Sequence, residues 1–418
     1  MRKKGIFLWA SLFIIIAASF ILPQSAHAVP AFARQTGMAC STCHFQHFPA
    51  LNAYGRFFKA GGYTMIGGES LVEGDMLSLP SVLNASVVLK VRYQKTNGDD
   101  TSAETNKGEF QFPDEASLFL GGRIGEHVGF SYEMGLNGDG MDNFTSFKMP
   151  FVHDLGGTKV SVIPFNTDSL GASFGFELLN TGAVRNIRTI EHRKDISAQQ
   201  YIGTATAAEG IALVAANNMG FVNYSLWAAS HTAKDIGPAS HYIRVAATPS
   251  FAGWDLGGGV QWWGGTTSLG TADVAGLTAG DHLTHAMAID AQAQGMVRSM
   301  PLGVYVTYGN AEKSKTGKPE NLFNSSTNGN RTALSVTAEL GVMPGTTTVS
   351  LGYRAGDTGA ASNNKDNALV LGAIYKIEQN VRLELNHSMY SGNYYDLPAN
   401  NEKKDGDQLT TLMLFSAF

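Results

Sequence analysis

The sequence contains two cysteines, and both belong to one short motif, Cys40-Ser41-Thr42-Cys43-His44. Two thiols separated by two residues and followed by a histidine form the attachment pattern of a c-type haem. Cys40 and Cys43 are therefore predicted to form thioethers with one covalent haem c, and His44 to be the proximal iron ligand. A structural disulfide, a thioredoxin-like redox pair and half of a zinc site are the alternatives. The zinc site lacks a second ligand pair, and the redox pair lacks a surrounding βαβ pattern.

Residues 1–28 have the pattern of a removable secretory signal. Arg2, Lys3 and Lys4 precede an apolar run from Ile6 to Leu22, and Ala26-His27-Ala28 is a small-residue cleavage site. An uncleaved membrane anchor is the alternative, since the apolar run is long for a signal. Export would place the cysteine motif outside the cytoplasm, where haem c is attached.

Residues 29–81 are predicted to form a compact, helical cytochrome segment that carries the motif, here called the leader. Pro49 suits the first turn of a helix, Tyr54 and Phe58 follow at helical spacing, and Gly61-Gly62 ends it. About forty residues between the motif and the first strand are too few to bury a porphyrin alone. The leader is therefore expected to borrow walls from the rest of the chain.

Residues 82–418 differ from the leader in composition and pattern. They are rich in glycine and in short segments of alternating polarity. Between Ser86 and Gln94, apolar residues such as Val87 and Leu89 alternate with polar ones such as Lys90. This alternation predicts strands with one apolar and one charged face. About sixteen strands are predicted, at 82–94, 114–124, 127–137, 144–153, 158–166, 208–217, 220–231, 240–249, 254–264, 284–296, 301–309, 332–342, 347–355, 367–376, 381–391 and 408–418.

The connections between these strands alternate in length. Tight turns occur at Gly125-Glu126, Asn218-Met219, Arg298 to Pro301 and Met343-Pro344-Gly345. Long polar loops are expected at 95–113, 167–207, 265–283, 310–331, 356–366 and 392–407. Alternation of this kind predicts an all-β, antiparallel transmembrane barrel in the outer membrane, with short periplasmic turns and long extracellular loops. A β-sandwich, a propeller and a β-solenoid are the alternatives, and the last two lack the fixed-period repeat that they require.

A barrel of sixteen strands has a lumen wide enough to admit protein. The leader is expected to enter this lumen from the periplasmic side and to plug it. Charged residues on the polar face of the strands would then hold the leader or tune the haem potential, with a solvated channel wall as the alternative role. These residues are Lys90, Arg92, Glu339, Arg354, Arg382 and Glu384.

The leader resembles the fused outer-membrane cytochrome–porin family, which includes iron oxidases. The resemblance rests on Pro30-Ala31-Phe32-Ala33-Arg34-Gln35-Thr36-Gly37, on the cysteine motif, on Pro49-Ala50-Leu51-Asn52, on Gly55 and on Phe58-Lys59. It covers about thirty residues, and over the barrel it is one of architecture and length. The family implies one N-terminal haem c, a porin-like barrel of about sixteen strands and electron transfer across the outer membrane.

The distal haem ligand is less constrained by the sequence. His47 lies three residues after His44 and is expected on the same side of the porphyrin, which argues against it. Met65 is predicted as the distal ligand, because a thioether raises the haem potential to suit a ferrous donor. The alternative distal ligands are Met76 and a histidine or methionine from the lumen wall. Met65 and Met76 could also have packing roles only.

The expected function is electron transfer from extracellular Fe(II) to a periplasmic carrier, a cytochrome c or a cupredoxin-like protein. Outward transfer to an extracellular acceptor, and a transport porin with a structural or sensory haem, are the alternatives. Electron transfer makes and breaks no bond on a substrate, so it requires no acid–base pair and no nucleophile. The chain carries no phosphate loop, no G-x-S-x-G motif and no paired metal-ligand histidines. If the protein is an enzyme, it is expected to be an oxidoreductase that oxidises extracellular ferrous iron. A net charge of −5 argues against nucleic acid as a partner, and outer-membrane lipid is expected around the barrel.

Overall fold

The structure is a computed structural model that describes residues 30–418 except 76, 101, 137–143, 186, 188, 191–194, 232–239, 271–278 and 397–404. The predicted signal over residues 1–28 and the candidate ligand Met76 thus lie outside the described residues. In the part of the chain that is described, no helix has the length and apolar character needed to cross a membrane.

Most of the chain forms one closed antiparallel barrel. Two small hairpins lie outside it, β1 (Leu71–Gly74) with β2 (Leu77–Pro80) and β14 (Thr266–Leu269) with β15 (Gly280–Leu283). The barrel strands are β3 (Ala85–Thr96), β4 (Glu109–Gly125), β5 (Val128–Gly135), β6 (Phe144–Lys148), β7 (Phe151–Leu155), β8 (Thr158–Thr167), β9 (Ala208–Asn217), β10 (Gly220–Ala228), β11 (Ser240–Ala247), β12 (Ser250–Phe251), β13 (Trp254–Gly264), β16 (Ala286–Val297), β17 (Met300–Ala311), β18 (Arg331–Met343), β19 (Thr347–Asp357), β20 (Lys365–Glu378), β21 (Val381–Ser391) and β22 (Gln408–Ala417).

The barrel wall has sixteen strand positions, here called staves, and two of them are each made of two shorter strands. Strands β6 and β7 are two pieces of one stave, because both pair with β5 and β8. Strands β11 and β12 likewise share the neighbour β13. The ring closes where β22 pairs with β3, from Leu409 opposite Thr96 to Ala417 opposite Val88. The predicted all-β barrel of about sixteen strands is confirmed.

The polar faces of the strands point inward and the apolar faces outward. In β18, Ser335, Thr337 and Glu339 are buried, whereas Leu334 and Val336 are exposed on the outside. A soluble β-sandwich buries its apolar faces between two sheets, so this arrangement excludes that alternative. An apolar exterior around a polar interior is the arrangement of barrels that span a membrane.

Tight turns and long connections lie at opposite ends of the barrel. The tight turns cover 126–127, 156–157, 218–219, 252–253, 298–299, 344–346 and 379–380. We call this rim the short-turn end. The leader enters β3 at this same end, because Ala85 begins β3 and pairs with Leu120 near the turn after β4.

The connection between β8 and β9, residues 168–207, is called the inner loop, and its described residues (all but 186, 188 and 191–194) fold into the lumen. Its isoleucines Ile187, Ile190 and Ile196 are fully buried in one cluster with Tyr305 and Val370. A long polar loop is predicted at 167–207, and the structure has this connection at the end of the barrel opposite the tight turns. Its burial inside the lumen is not predicted from the sequence. Isoleucine side chains gain free energy by leaving water, and the lumen wall is the surface that covers them.

The leader contains three short helices, Ala31–Thr36, Cys40–Cys43 and Ala53–Ala60. The third begins at Ala53 and not near Pro49, because the side chain of Asn52 accepts a hydrogen bond from the Gly55 amide and caps the helix there. Gly61 ends it, as predicted. The last part of the leader is the hairpin β1–β2 and not a helix.

Polar contacts join the leader to lumen-facing residues at the short-turn end. Arg56 donates two hydrogen bonds to Asp255 of β13, at 2.8 and 2.6 Å. His47 Nε2 lies 2.6 Å from Glu339 Oε2 of β18. Two independent attachments on different staves therefore fix the leader against the barrel wall.

Candidate functional site

The cysteine motif forms a single helical turn. Residues three positions apart in a helix share one face, so the turn Cys40–Cys43 presents both thiols to the same side. The amide of His44 donates to the carbonyl of Cys40 at 2.9 Å, which ends the turn at His44. This local geometry brings two sulfurs and one imidazole together within five residues.

Helix Ala53–Ala60 supports this turn through direct backbone contact. The amide of Asn52 donates to the Cys43 carbonyl at 3.0 Å, and the Asn52 side-chain amide donates to the Thr42 carbonyl at 3.0 Å. Gly55 lies so close that an added Cβ would be 2.2 Å from the Cys43 carbonyl oxygen. A residue without a side chain is thus required at position 55.

His44 has the environment of a neutral imidazole ligand. Burial lowers its pKa to about 4, so the ring is uncharged at neutral pH. Its Nδ1 lies 3.3 Å from the Ala50 carbonyl oxygen, a contact that makes Nδ1 the protonated nitrogen. The other nitrogen, Nε2, is then the one that can bind a metal.

The neighbouring Cys43 thiol has a raised pKa, because burial disfavours the thiolate, and the nearby Cys40 adds to this effect. A raised pKa argues against a nucleophilic, thioredoxin-like role for this sulfur.

His47 is engaged with the barrel. Its Nε2 contacts Glu339, and its Nδ1 lies 3.0 Å from the Phe48 carbonyl oxygen. Glu339 also accepts a hydrogen bond from the Tyr305 hydroxyl at 2.7 Å. Both ring nitrogens of His47 are used in these contacts, so this histidine attaches the leader and is not placed to bind iron.

Residues of the cysteine motif and of the barrel wall line one cavity of about 510 Å³. Cys40, Cys43 and His44 line it together with aromatic and apolar side chains of both parts of the chain. These apolar residues include Phe48, Phe58, Val88, Phe119 and Phe415. The volume is in the range of small-molecule and cofactor sites. Phe415 and Val88 belong to the strands that close the barrel, so neither the leader nor the barrel forms the cavity alone.

The residues present fit a covalent haem. Two adjacent thiols, one imidazole with Nε2 available and a set of aromatic walls are what a c-type haem requires. Two cationic side chains, Lys376 and Arg382, line the same cavity. Among the described residues, no group of three or more His, Cys, Asp or Glu side chains is arranged to hold a bare metal ion.

Met65 is outside the lining of this cavity. Its sulfur accepts a hydrogen bond from the Tyr54 hydroxyl at 3.3 Å, and its carbonyl accepts one from Gln35 at 2.7 Å. Distal ligation by Met65 stays a prediction, and it would require this segment to move. Met38 is a methionine that does line the cavity. Met38 could not be identified from the sequence, because its spacing from the cysteine motif follows no pattern of haem ligands.

The six charged lumen residues have several roles. Lys90 pairs with Glu115 and Arg92 with Asp114, both within the wall. Arg354 pairs with Asp366 of the wall and also donates from Nε to the Asp195 carbonyl of the inner loop at 2.8 Å. Glu339 holds His47 of the leader, and Arg382, paired with Glu384, lines the cavity. The expectation that such charges could hold the leader is therefore met by Glu339.

No family model and no curated protein matches the chain. Solved outer-membrane porins are similar in fold. OmpT of Vibrio cholerae is 11% identical, with 84% of this chain and 100% of that chain covered and a TM-score of 0.48. A porin refined at 1.8 Å is 14% identical over 81% of this chain and 100% of its own, with a TM-score of 0.46. The channel DcaP of Acinetobacter baumannii is 11% identical over 80% and 97%, with a TM-score of 0.44.

Proposed function

We propose that this chain is an outer-membrane electron conduit, a porin-like barrel whose leader plugs the periplasmic mouth and holds one covalent haem c. One electron leaves an extracellular donor, Fe(II) in the first instance, which becomes Fe(III). The electron reduces one oxidised periplasmic carrier, a cytochrome c or a cupredoxin-like protein. The observation that carries the proposal is the cavity that Cys40, Cys43 and His44 line together with the closing strands of the barrel.

The proposed location follows from the exterior and from the export signal. Apolar side chains cover the outside of the staves, and a secretory pattern precedes the leader. In such barrels the short turns face the periplasm. The leader, which contacts the short-turn end, then lies at the periplasmic mouth.

The residues of the cavity would bind and orient the cofactor. Cys40 and Cys43 would supply the thioether sulfurs, and His44 Nε2 the axial nitrogen, with Ala50 fixing the ring orientation. When bound, haem c supplies one-electron exchange between ferric and ferrous iron. The aromatic walls would limit the contact of the haem with water, and a lower local dielectric constant would strengthen the effect of nearby charges on its potential.

The position of the cavity favours delivery of the electron to the periplasm. Its lining includes Gly345, Thr346, Gln379 and Asn380 from two tight turns. A soluble carrier could therefore approach from the short-turn end without entering the lumen. The donor has the longer route, because the inner loop covers the other side of the leader, where Asn180 accepts a hydrogen bond from the Leu51 amide at 2.9 Å.

The first experiment asks whether the haem is present and redox-active. Outer membranes containing the full-length protein are separated under denaturing conditions and stained for haem peroxidase activity. Wild type is expected to stain, and Cys40→Ser with Cys43→Ser to lose the stain. His44→Ala is expected to change the spectrum and to weaken the stain. His153→Ala, an exposed histidine at the short-turn end, is the matched control that leaves both unchanged.

Absence of covalent haem in the wild-type protein would falsify the proposal. Adding Fe(II) to intact outer membranes tests the direction of electron flow, since reduction of the haem band is expected. A haem that iron leaves oxidised, but that a periplasmic reductant reduces, indicates outward transfer instead.

A pair of methionine variants tests the distal ligand. Met38 lines the cavity and Met65 does not, so the structure favours Met38 as the distal ligand, whereas the sequence favours Met65. Met38→Leu is expected to shift the ferric haem spectrum and lower the midpoint potential, since thioether ligation raises it. Met65→Leu is expected to leave both unchanged. The opposite pattern would establish Met65 as the ligand and would imply that the Tyr54 contact opens when haem is attached.

A transport porin is the second candidate, and the inner loop favours it. Arg244 binds Glu177 of this loop and Asp290 of the wall, so charged groups face each other inside the lumen. A loop held in this way limits the size of solutes that pass through a barrel. Ion conductance in planar bilayers separates the candidates, because a plugged conduit conducts far less than an open barrel of sixteen staves.

A further inference from the structure

The charged groups of the cavity lie on the barrel side and not on the leader side. Lys376 of β20 and Arg382 of β21 line it, and the acidic residue of the lining, Glu378, is exposed at the end of β20. The leader contributes sulfur, imidazole and aromatic surface. The cavity is thus apolar around the motif and positively charged at the wall.

The two cations are direct cross-strand partners. Lys376 pairs with Arg382 in the register of β20 and β21, on the face that lines the cavity. Like charges directly opposite each other in a sheet destabilise it. Glu384 neutralises part of this charge through its contact with Arg382 Nε at 2.6 Å. An anion within the cavity would relieve the remaining repulsion.

Arg382 is held in place for such an anion. Its side chain is buried, and its guanidinium carbon lies 4.1 Å from the centre of the Phe415 ring. The ring and Glu384 fix the plane of the guanidinium, whose fork of donors matches a carboxylate. Lys376 Nζ donates to the Gln46 carbonyl at 2.5 Å, which uses one of its three donors.

We propose that Lys376 and Arg382 bind the two propionate carboxylates of the haem, so that the barrel wall supplies the anion-binding half of the site. This inference rests on the proposed function. It adds that attachment and electrostatic control belong to different parts of the chain. The leader binds the cofactor covalently, and the wall sets its potential, because cations near the carboxylates favour the electron-rich ferrous state.

The test uses the full-length protein with Lys376→Met, Arg382→Met and both together. Each variant is expected to keep the covalent haem stain, since the thioethers are unaffected. The midpoint potential is expected to fall in each single variant and to fall further in the double variant. Without a cationic partner a propionate binds a proton more readily, so the potential should also become more dependent on pH near neutrality.

Lys90→Met is the matched control, because it removes a buried lumen-wall cation of β3 that does not line the cavity. It is expected to leave the potential and its pH dependence unchanged. Lys376→Arg and Arg382→Lys keep the positive charge, and the midpoint potential of each is expected to stay close to that of the wild type. Barrel closure is monitored by heat-modifiable migration on gels, and if Arg382→Met does not close, Lys376→Met alone decides.

The outcomes distinguish this inference from the proposed function. Normal haem content with a wild-type potential in the double variant overturns the carboxylate site and leaves the conduit intact. A fall in potential as large in Lys90→Met also overturns it, since the effect would then be one of total lumen charge. No haem in the wild type refutes the proposed function itself.

Discussion

Gly55 shows how one residue positions the chemistry of the leader. Its Cα faces the backbone of Cys43, and an added Cβ would be 2.2 Å from the Cys43 carbonyl oxygen and 3.0 Å from Leu51 Cδ2. Helix Ala53–Ala60 and the cysteine turn therefore touch main chain to main chain. A side chain at position 55 has to push the two apart.

Gly55→Ala is predicted to separate the motif from its supporting helix at a cost of about 1–3 kcal/mol, typical of overpacking. The expected results are less covalent haem per folded barrel and faster proteolysis of the leader. Gly74→Ala is the control, because the nearest atom to its added Cβ is Leu77 Cβ at 3.8 Å, an ordinary contact. Equal behaviour of the two variants would contradict the role given to Gly55.

The types of the candidate site residues could be predicted from the sequence better than the residues that contact them in the folded chain. The spacing of Cys40, Cys43 and His44 identifies a possible haem site without any structure. The partner of His47 could not be predicted, because Glu339 is 292 residues away and no local pattern links them. Met38 was missed for a related reason, since lining a cavity is a property of the folded chain.

Among the elements, the helix Ala53–Ala60 depends on the wall for its position. Arg56 and Asp255 form two hydrogen bonds, with 6% and 19% of their side chains exposed. A pair this well shielded retains much of its strength, unlike a surface ion pair. It attaches the leader to a stave far from β3, where the chain enters the barrel.

Asp255→Asn is predicted to weaken leader docking by about 2 kcal/mol, the value of a hydrogen bond to a charged group. Protease cleavage within the leader of the folded protein should then be more than tenfold faster, because each 1.4 kcal/mol is a factor of about ten. Glu104→Gln, which breaks the exposed pair with Lys107, should leave the rate unchanged. An unchanged rate in Asp255→Asn would show that the leader is held by other contacts.

The inner loop offers a second prediction about an element. Arg244 is fully buried and pairs with Glu177 and Asp290, so Arg244→Met leaves two buried carboxylates without their cation. Losing one partner of a buried pair costs about 3–5 kcal/mol. The loop is expected to leave the wall, and single-channel conductance to rise with more frequent current steps. Arg298→Met, in an exposed turn, is the control, and equal conductance in both variants would contradict the anchoring role.

The elements themselves were largely predictable, and the exception is instructive. All sixteen staves follow from the alternation of polar and apolar residues, since one face of each strand meets an apolar surrounding. The inner loop has no such period. Its isoleucines at 187, 190 and 196 are the signal in the sequence for burial, because a loop that extends into water has no surface to cover them.

For the molecule as a whole, the apolar exterior is the feature that determines where it is stable. Leu351 lies in the middle of β19 and is 50% exposed, between Ala338 and Leu371 of the neighbouring strands. Phe251 ends β12, next to the tight turn 252–253 at the short-turn end, and is 74% exposed. The two positions sample the centre and the rim of the outer surface.

Leu351→Arg is predicted to reduce the free energy of unfolding in lipid vesicles by about 2–4 kcal/mol, and Phe251→Arg by at most about 1 kcal/mol. Urea unfolding followed by tryptophan fluorescence measures both. Equal, small effects would mean that the outer face meets water and not lipid, and that the barrel is not embedded as proposed.

The wall of the cavity is also the seam of the barrel, because Val88 belongs to its first stave and Phe415 to its last. A nascent chain therefore possesses the thiols long before it possesses the pocket, which forms only when β22 pairs with β3. For the haem proposed above, attachment to the thiols could therefore precede barrel closure, and the part of the wall that Val88 and Phe415 supply would be completed afterwards. On this proposal, barrel closure would complete the haem site, and a chain stalled before closure would expose its attached haem to solvent.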